Sequence, residues 1–255
     1  MAMMGKANGG KGQGMNGLID AEARAKALPK LERMDRPSVA DQAFDLLQQR
    51  ILRLDLPPGT KLSEAEVAGQ MGVSRQPVRE AFKRLAAQGF LNIRPQRSTT
   101  VSLISEAAVL RARFIRTALE THTFRLACDV LTPADITALR TLIEAQRAAV
   151  AANNREQFHA LDDQFHRQVC IRAGVGYVWD MIHDCKAHMD RIRMLSLNAE
   201  SQKFALAEHI EILDAIARKD PNDAVRAMET HLSRITTLIA EIKSVNHDWF
   251  TDTAE

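Results

Sequence analysis

The sequence predicts a mainly α chain in two parts: three helices and a hairpin near the N-terminus, then an all-α bundle of six helices. Three observations carry that expectation. Aromatic residues make up only 5% of 255 while Ala, Leu, Arg and Glu abound, a composition that favours helices. From residue 105 onward, apolar residues recur at helical spacing between clear cap and break signals. Before that point lies one β-prone pair of segments, Phe90-Leu91-Asn92-Ile93 and Thr99-Thr100-Val101-Ser102-Leu103, separated by the polar run Arg94-Pro95-Gln96-Arg97-Ser98.

Residues 1–36 open with MAMMGKANGGKGQGMNG, rich in Gly, Asn and Lys, and are expected to be a disordered tail. Residues 37–104 form the first domain. Ser38 can cap a helix reaching about Leu54, with Ala43, Leu46, Leu47, Ile51 and Leu54 as its apolar stripe. Leu56-Pro57-Pro58-Gly59 stops it. Ser63-Glu64-Ala65-Glu66 reads as a capping box, so a second helix starts there and ends near Gly72. Ser74 caps a third, with Pro77 in its first turn and Gly89 at its end. The hairpin follows as a wing. Helix, helix, helix, hairpin is the order of a winged helix-turn-helix.

Residues 105–248 form the second domain. Its six expected helices run over about 106–130, from Thr132-Pro133 to 152, 154–173, 177–197, 201–218, and from the Asp220-Pro221 cap to 245. Amphipathic helices of this number make a bundle. Residues 249–255 are expected to be a C-terminal tail.

Bulk composition narrows the class. With 45% hydrophobic and 26% charged residues the chain reads as soluble and globular. It has no run of 18 apolar residues and no signal-type apolar core, so no membrane partner is expected. Cys128, Cys170 and Cys185 make no CxxC pair and read as reduced thiols, which places the chain in the cytoplasm. The first 104 residues carry sixteen Lys and Arg against ten Asp and Glu, and the remainder eighteen against twenty-two. A basic front half suits a polyanion.

The third helix begins Ser74-Arg75-Gln76-Pro77-Val78-Arg79, at the end that a helix-turn-helix inserts into the major groove. Arg75 and Arg79 are i, i+4 and share a face. A guanidinium pairs bidentately with guanine O6 and N7. Gln76 can bond adenine or a phosphate, Thr60 and Lys61 can touch the DNA backbone, and Arg97 can reach out from the wing. Val73, Val78, Phe82 and Leu85 face the core.

In the second domain, Asp162 and His166 are i, i+4 on one helix. His209 and His231 lie on the fifth and sixth, each beside apolar neighbours. Three imidazoles and a carboxylate drawn from three helices can hold a divalent metal, zinc first, with nickel or manganese as alternatives, and leave positions open. His122, His159, His183, His188 and His247 lie among polar helix residues and are expected to be structural. Arg116 is a candidate to pair an effector carboxylate through a bidentate fork, and Arg193 a second. For each, a structural ion pair with a glutamate of the bundle is the competing role.

Residues 38–103 closely resemble the DNA-binding domain of the GntR family of bacterial transcription regulators, on Pro58-Gly59, Leu62, Glu64, Ala68, Gly72-Val73-Ser74-Arg75, Pro77-Val78-Arg79-Glu80-Ala81, Leu85, Gly89 and Leu91. The resemblance implies base contacts from Arg75 and Arg79. Two positions depart from it: Ala65 stands where some members have Arg, and the usual wing-tip glycine is replaced by Gln96-Arg97-Ser98-Thr99. Residues 106–240 resemble the FCD domain of the FadR-type subfamily. The residues are Asp162-x-x-Phe165-His166, Glu208-His209, Ala224-x-x-x-Met228-x-x-His231-Leu232, and Arg116 with Glu120. That likeness implies a metal on Asp162, His166, His209 and His231, with a small carboxylate effector beside it. Six helices rather than seven place the chain nearer the VanR-like, vanillate-regulator subgroup.

The expected function is therefore a DNA-binding transcription regulator, a repressor, reading a pseudo-palindromic operator as a homodimer under control of that effector. A metal-responsive regulator is one alternative. A metallo-hydrolase fused to a DNA-binding domain is another, weakened because the chain lacks HExxH and offers only Glu208 and Asp163 as general bases.

Overall fold

The computed structural model describes residues 37–94 and 98–251. The expected N-terminal tail, and Arg97 at the wing tip, lie outside the described residues.

Ser38 opens the first helix, α1 (Val39–Leu52). Its hydroxyl accepts from the Asp41 N–H at 3.1 Å, while the Asp41 carboxylate accepts from the Ser38 N–H at 3.0 Å. The two groups satisfy each other's orphaned donors. The buried stripe is Ala40, Ala43, Phe44, Leu47 and Ile51. Leu46, expected inside, is 48% exposed, because a period of 3.6 through 40, 44, 47 and 51 puts it on the opposite face. Leu54, also assigned to the stripe, lies beyond the helix end with φ +66°.

A two-residue strand, β1 (Lys61–Leu62), precedes α2 (Glu64–Met71). Ser63 occupies the N-cap position of α2, but its hydroxyl makes no cap bond, so the expected capping box is not formed. The backbone there continues the extended course of β1, with φ −120° and ψ 128°. Gly72 ends α2 in the left-handed region (φ +66°), where a side chain would be strained. Helix α3 (Arg75–Ala87) buries Val78, Ala81, Phe82 and Leu85 completely. Strands β2 (Leu91–Arg94) and β3 (Ser98–Val101) form the wing. β1 pairs with the other edge of β3, so the sheet is antiparallel in order β1-β3-β2.

The second part is helical throughout: α4 (Glu106–Val130), α5 (Pro133–Ala151), α6 (Arg155–Arg172), α7 (Tyr177–Cys185), α8 (Ala187–Ser196), α9 (Ala199–Ala217), α10 (Pro221–Ser233) and α11 (Ile235–Val245). Thr132 with Asp135 makes a reciprocal cap ahead of Pro133, and Asp220 caps the helix that starts at Pro221, both as expected. The six expected helices become eight because two of them break. The fourth breaks at Lys186 (φ −91°, ψ 1°), whose buried ammonium sits between Asp163 and Asp190. The sixth breaks at Arg234. Around it the hydroxyls of Ser233 and Thr236 donate to the carbonyls of Thr230 and Ser233, competing with the helical ladder. Phe124, Leu139, Phe158, Phe165, Ile212 and Met228 lie at the centre of the largest core cluster.

The chain end is more ordered than a tail from residue 249 would be. His247–Trp249 is a 3-10 turn, the Phe250 ring is buried, and Ile104 forms a parallel bridge with Phe250. The Ile104 N–H donates to Trp249 O at 2.8 Å, and the Thr251 N–H donates back to Ile104 O at 3.0 Å. The linker leaving the wing needs partners for its backbone groups, and this segment supplies them. Among the described residues no helix is long and apolar enough to cross a membrane.

Candidate DNA-reading helix and candidate metal centre

Helix α3 is divided cleanly. Its inner face is fully buried, while Arg75, Gln76 and Arg79 are exposed at the outer N-terminal end. Ser74 stands at the N-cap with no side-chain cap bond. Arg79 is oriented by a neighbour: its Nε donates to Glu64 Oε2 at 3.0 Å, with the Arg79 side chain still 50% exposed. That contact uses Nε, so the two terminal nitrogens keep the fork that a guanine edge requires. The pairing of Glu64 with α3 comes from the packing of α2 on α3. Lys61 is exposed on the edge strand β1. Thr60 is partly buried, its backbone tied to Pro57 O and to the Val101 N–H. Arg97 falls outside the described residues.

In the bundle, Asp162 and His166 on α6, His209 on α9 and His231 on α10 converge. Each offers one ligand atom, and these atoms all lie within 4.8 Å of one another. Asp162, His166 and His209 are fully buried, and the His231 side chain is 8% exposed. Phe165 lies between the two α6 ligands in sequence and stacks on the His209 ring at 4.7 Å. Trp179 stacks on His166 from α7 at 6.4 Å.

Each imidazole is held by a second residue. His166 Nδ1 faces Glu120 Oε2, His209 Nδ1 faces Gln146 Oε1 at 2.8 Å, and His231 Nδ1 faces Glu208 Oε2 at 2.9 Å. The Gln146 amide is fixed in that orientation because its NH₂ donates to Leu161 O at 3.1 Å. Acceptors on all three Nδ1 atoms assign the proton to Nδ1 and leave the Nε2 lone pairs pointing inward, the arrangement of metal-bound histidines. The supporting residues are themselves supported: Arg116 Nε donates to Glu120, and Arg234 pairs with Glu208.

The donor set fits a divalent cation. Asp162 Oδ1 and the Nε2 atoms of His166 and His209 are buried without a hydrogen-bond partner, and the one cation among them, Arg193, meets only Asp162 Oδ2, a costly state that a further positive charge would relieve. Burial pushes the His209 and His231 imidazoles below their usual range, so they are neutral ligands at neutral pH. Burial alone would raise Asp162, but the Arg193 guanidinium in contact with it outweighs that and holds the carboxyl well below the usual range. A second group, His159, Asp163 and Asp190, is already served by a cation: Lys186 Nζ lies 2.7 Å from Asp163 and 2.7 Å from Asp190.

Beside the centre is a small cavity of about 60 Å³, partly open to solvent. His231 and Glu208 reach it from the metal side. Arg116, Arg193 and Arg234 line it, with Met189, Phe158, Leu232 and Leu238 as apolar wall. Both arginines expected at the effector site are here, and both are already in ion pairs, Arg116 with Glu120 and Arg193 with Asp162. Each also keeps a buried nitrogen without a hydrogen-bond partner, Arg116 Nη2 and Arg193 Nη1.

Sequence reading missed Gln146 and Arg234. Gln146 did leave a signal: it interrupts an otherwise apolar face through Leu139, Ile143 and Ala149. Arg234 left none. His188 is not a simple surface histidine: its Nδ1 lies 3.3 Å from the Ser105 N–H, where the two parts of the chain meet. The two candidate general bases are both committed elsewhere, Glu208 to His231 and Arg234, and Asp163 to Lys186.

Comparison with known proteins gives two family matches. Residues 39–101 match the family model described as bacterial regulatory proteins, gntR family, and residues 112–234 match that of the FCD domain. The chain is 37% identical over 215 residues to the HTH-type transcriptional repressor RspR of Escherichia coli K12, covering 84% of this chain and 94% of that protein. It is 31% identical over 202 residues to a probable D-xylose utilization operon transcriptional repressor of Paenarthrobacter nicotinovorans, covering 79% of this chain and 89% of that one. The solved structure of E. coli McbR/YncC shares the fold with a TM-score of 0.69 at 24% identity, over 81% of this chain and 99% of that one.

Proposed function

The chain belongs to the GntR family of bacterial regulatory proteins and carries an FCD domain, and from that premise we propose that it is a repressor whose hold on DNA is set by a small carboxylate bound beside a divalent metal. It is a transcription regulator, not an enzyme. The observation that carries the metal part is the ring of inward-facing Asp162, His166, His209 and His231 atoms beside an arginine-lined cavity.

When bound, the metal supplies a Lewis-acidic site for an oxygen ligand. Three imidazoles and a carboxylate suit zinc, with nickel and manganese next. Glu120, Gln146 and Glu208 hold the three rings in the ligating tautomer. Arg116 and Arg193 line the cavity and are the candidate partners of a carboxylate there, and Met189, Phe158 and Leu238 exclude water from its apolar portion. Arg75 and Arg79 read bases, Gln76, Thr60, Lys61 and Arg97 add contacts, and a homodimer places two such helices on inverted half-sites about 34–36 Å apart. Leu110 (40% exposed) and Phe114 (76%) stand i, i+4 on the outer face of α4 and are the apolar surface that a second copy would cover. A DNA partner places the protein in the cytoplasm.

A thermal-shift screen of small carboxylates tests this reading. Zinc-loaded protein is expected to gain stability with at least one of them, and chelator-stripped protein to gain none. An equal shift in both forms would put the carboxylate elsewhere. Operator release by zinc alone, with no carboxylate needed, would make the protein a metal sensor instead.

A further inference from the structure

Helix α8 touches the metal site with one side and the DNA-reading domain with the other. On the first side, Met189 Sδ lies 3.4 Å from Arg116 Nη1, Arg193 is paired with Asp162, and Asp190 holds Lys186 together with Asp163. On the second side, Ala187 belongs to the core cluster of the winged domain, with Phe44, Phe90 and Val101. Arg191 Nη1 donates to Ser102 O at 2.7 Å and lies 3.2 Å from Ser102 Oγ. The Ser102 hydroxyl donates in turn to Gly89 O at 2.5 Å. Gly89 stands one residue beyond the C-cap of α3, Gln88, with φ +81°. His188 crowds the same glycine: its Nε2 would stand 3.1 Å from a Cβ at position 89. Two residues of one short helix, Arg193 and Arg191, therefore separate a metal ligand from the end of the reading helix.

The Arg191 contact has an unusual balance. Arg191 is 1% exposed, and among the described residues its Nε and Nη2 have no hydrogen-bond partner and no carboxylate pairs with it. A buried unpaired cation is destabilising unless it is solvated or paired. Burial accordingly lowers its pKa to about 10. The present docking of the two parts thus carries a penalty that a small movement of α8 would relieve, which is what a two-state element needs.

We propose that α8 is the lever between the pocket and the DNA-reading domain, with Arg191 as the positioning residue at its far end. Arg193 holds Asp162 Oδ2, the same oxygen that lies 3.9 Å from His166 Nε2, so a metal at the centre competes with Arg193 for it. Occupancy of the centre that draws Asp162 away from Arg193 shifts α8 and moves Arg191 against Ser102. Gly89 and the end of α3 follow. The coupling is carried by differential contact in two arrangements of one helix, and it runs equally in both directions. This inference rests on the metal reading above.

Hydrogen–deuterium exchange on the full chain, stripped of metal and then loaded with zinc chloride, tests it. In the wild type, zinc is expected to change exchange at the amides of residues 88–102 by at least three-fold. Arg191→Met is expected to bind one zinc per chain as the wild type does, yet to lose most of that distant response. Arg191→Lys retains a donor for Ser102 O and is expected to keep more of it, which a purely space-filling role would not produce. Zinc bound with residues 88–102 silent in the wild type would overturn the lever alone, as would a full response in Arg191→Met. Failure of the wild type to bind zinc would overturn the metal reading and the lever together.

Discussion

His209→Ala is expected to empty the metal centre: bound zinc falls from one per chain to below a tenth, measured by elemental analysis after dialysis. His209 is fully buried, its Nε2 faces the Asp162 carboxylate at 3.5 Å, and among the described residues the ligand group is Asp162, His166, His209 and His231 with no other member. The loss should also appear as stability. A ligand that binds only the folded state adds about 2.7 kcal/mol at a hundred times its Kd and about 4.1 kcal/mol at a thousand times. With zinc in that range the variant should be less stable than the wild type by roughly that amount, plus about 1–3 kcal/mol for leaving Gln146 Oε1 buried without its partner. In chelator only the second contribution remains. The difference between the two conditions isolates the metal. An equal loss in zinc and in chelator would make His209 a packing residue and nothing more.

Arg79→Ala is expected to weaken operator binding by about 1–3 kcal/mol per half-site and to relax the preference at one base-pair position in each. Because both half-sites of a symmetric site lose the contact, the dimer should lose roughly 2–6 kcal/mol, or about 30-fold to more than 10⁴-fold in affinity. Selection of sites from random DNA with wild type and variant checks both parts. The wild type should return an inverted repeat, and the variant the same repeat with one position blurred. Equal weakening on every sequence would show that Arg79 holds phosphate rather than a base. Arg79 is the sharper choice of the two arginines because Glu64 already fixes its direction through Nε.

The DNA-reading helix was legible because its signals are local. Ser74 before the helix, Pro77 in its first turn and Gly89 after it act within a few residues, and Val78, Phe82 and Leu85 then leave Arg75 and Arg79 outside. The four metal-site residues were legible for a different reason, an i, i+4 pair plus two histidines in apolar surroundings that matched known motifs. What supports them was not, since Gln146 on His209 and Arg234 on Glu208 join positions 63 and 26 residues apart. The break at Lys186 was hidden in the same way: its cause is Asp163 on another helix, and the local sequence carries neither Pro nor Gly. Leu46 was misplaced by counting apolar residues without fixing the helix phase, which Phe44 sets. The Ser63 capping box does not form because the residues before it belong to a strand that pairs with a distant one, Leu62 opposite Thr99 and Lys61 opposite Thr100. Trp249 and Phe250 gave no sign of their return to Ile104, as backbone pairing across the whole chain leaves no local pattern.

The most direct test of control by the metal-side cavity is fluorescence anisotropy on the selected operator. Zinc-loaded wild type and His209→Ala are titrated with the carboxylate that gives the largest thermal shift. The expected result is release of the wild type from DNA at carboxylate concentrations that leave His209→Ala bound, the two proteins having similar operator affinity beforehand. Release of both at the same concentration, or of neither, would contradict it.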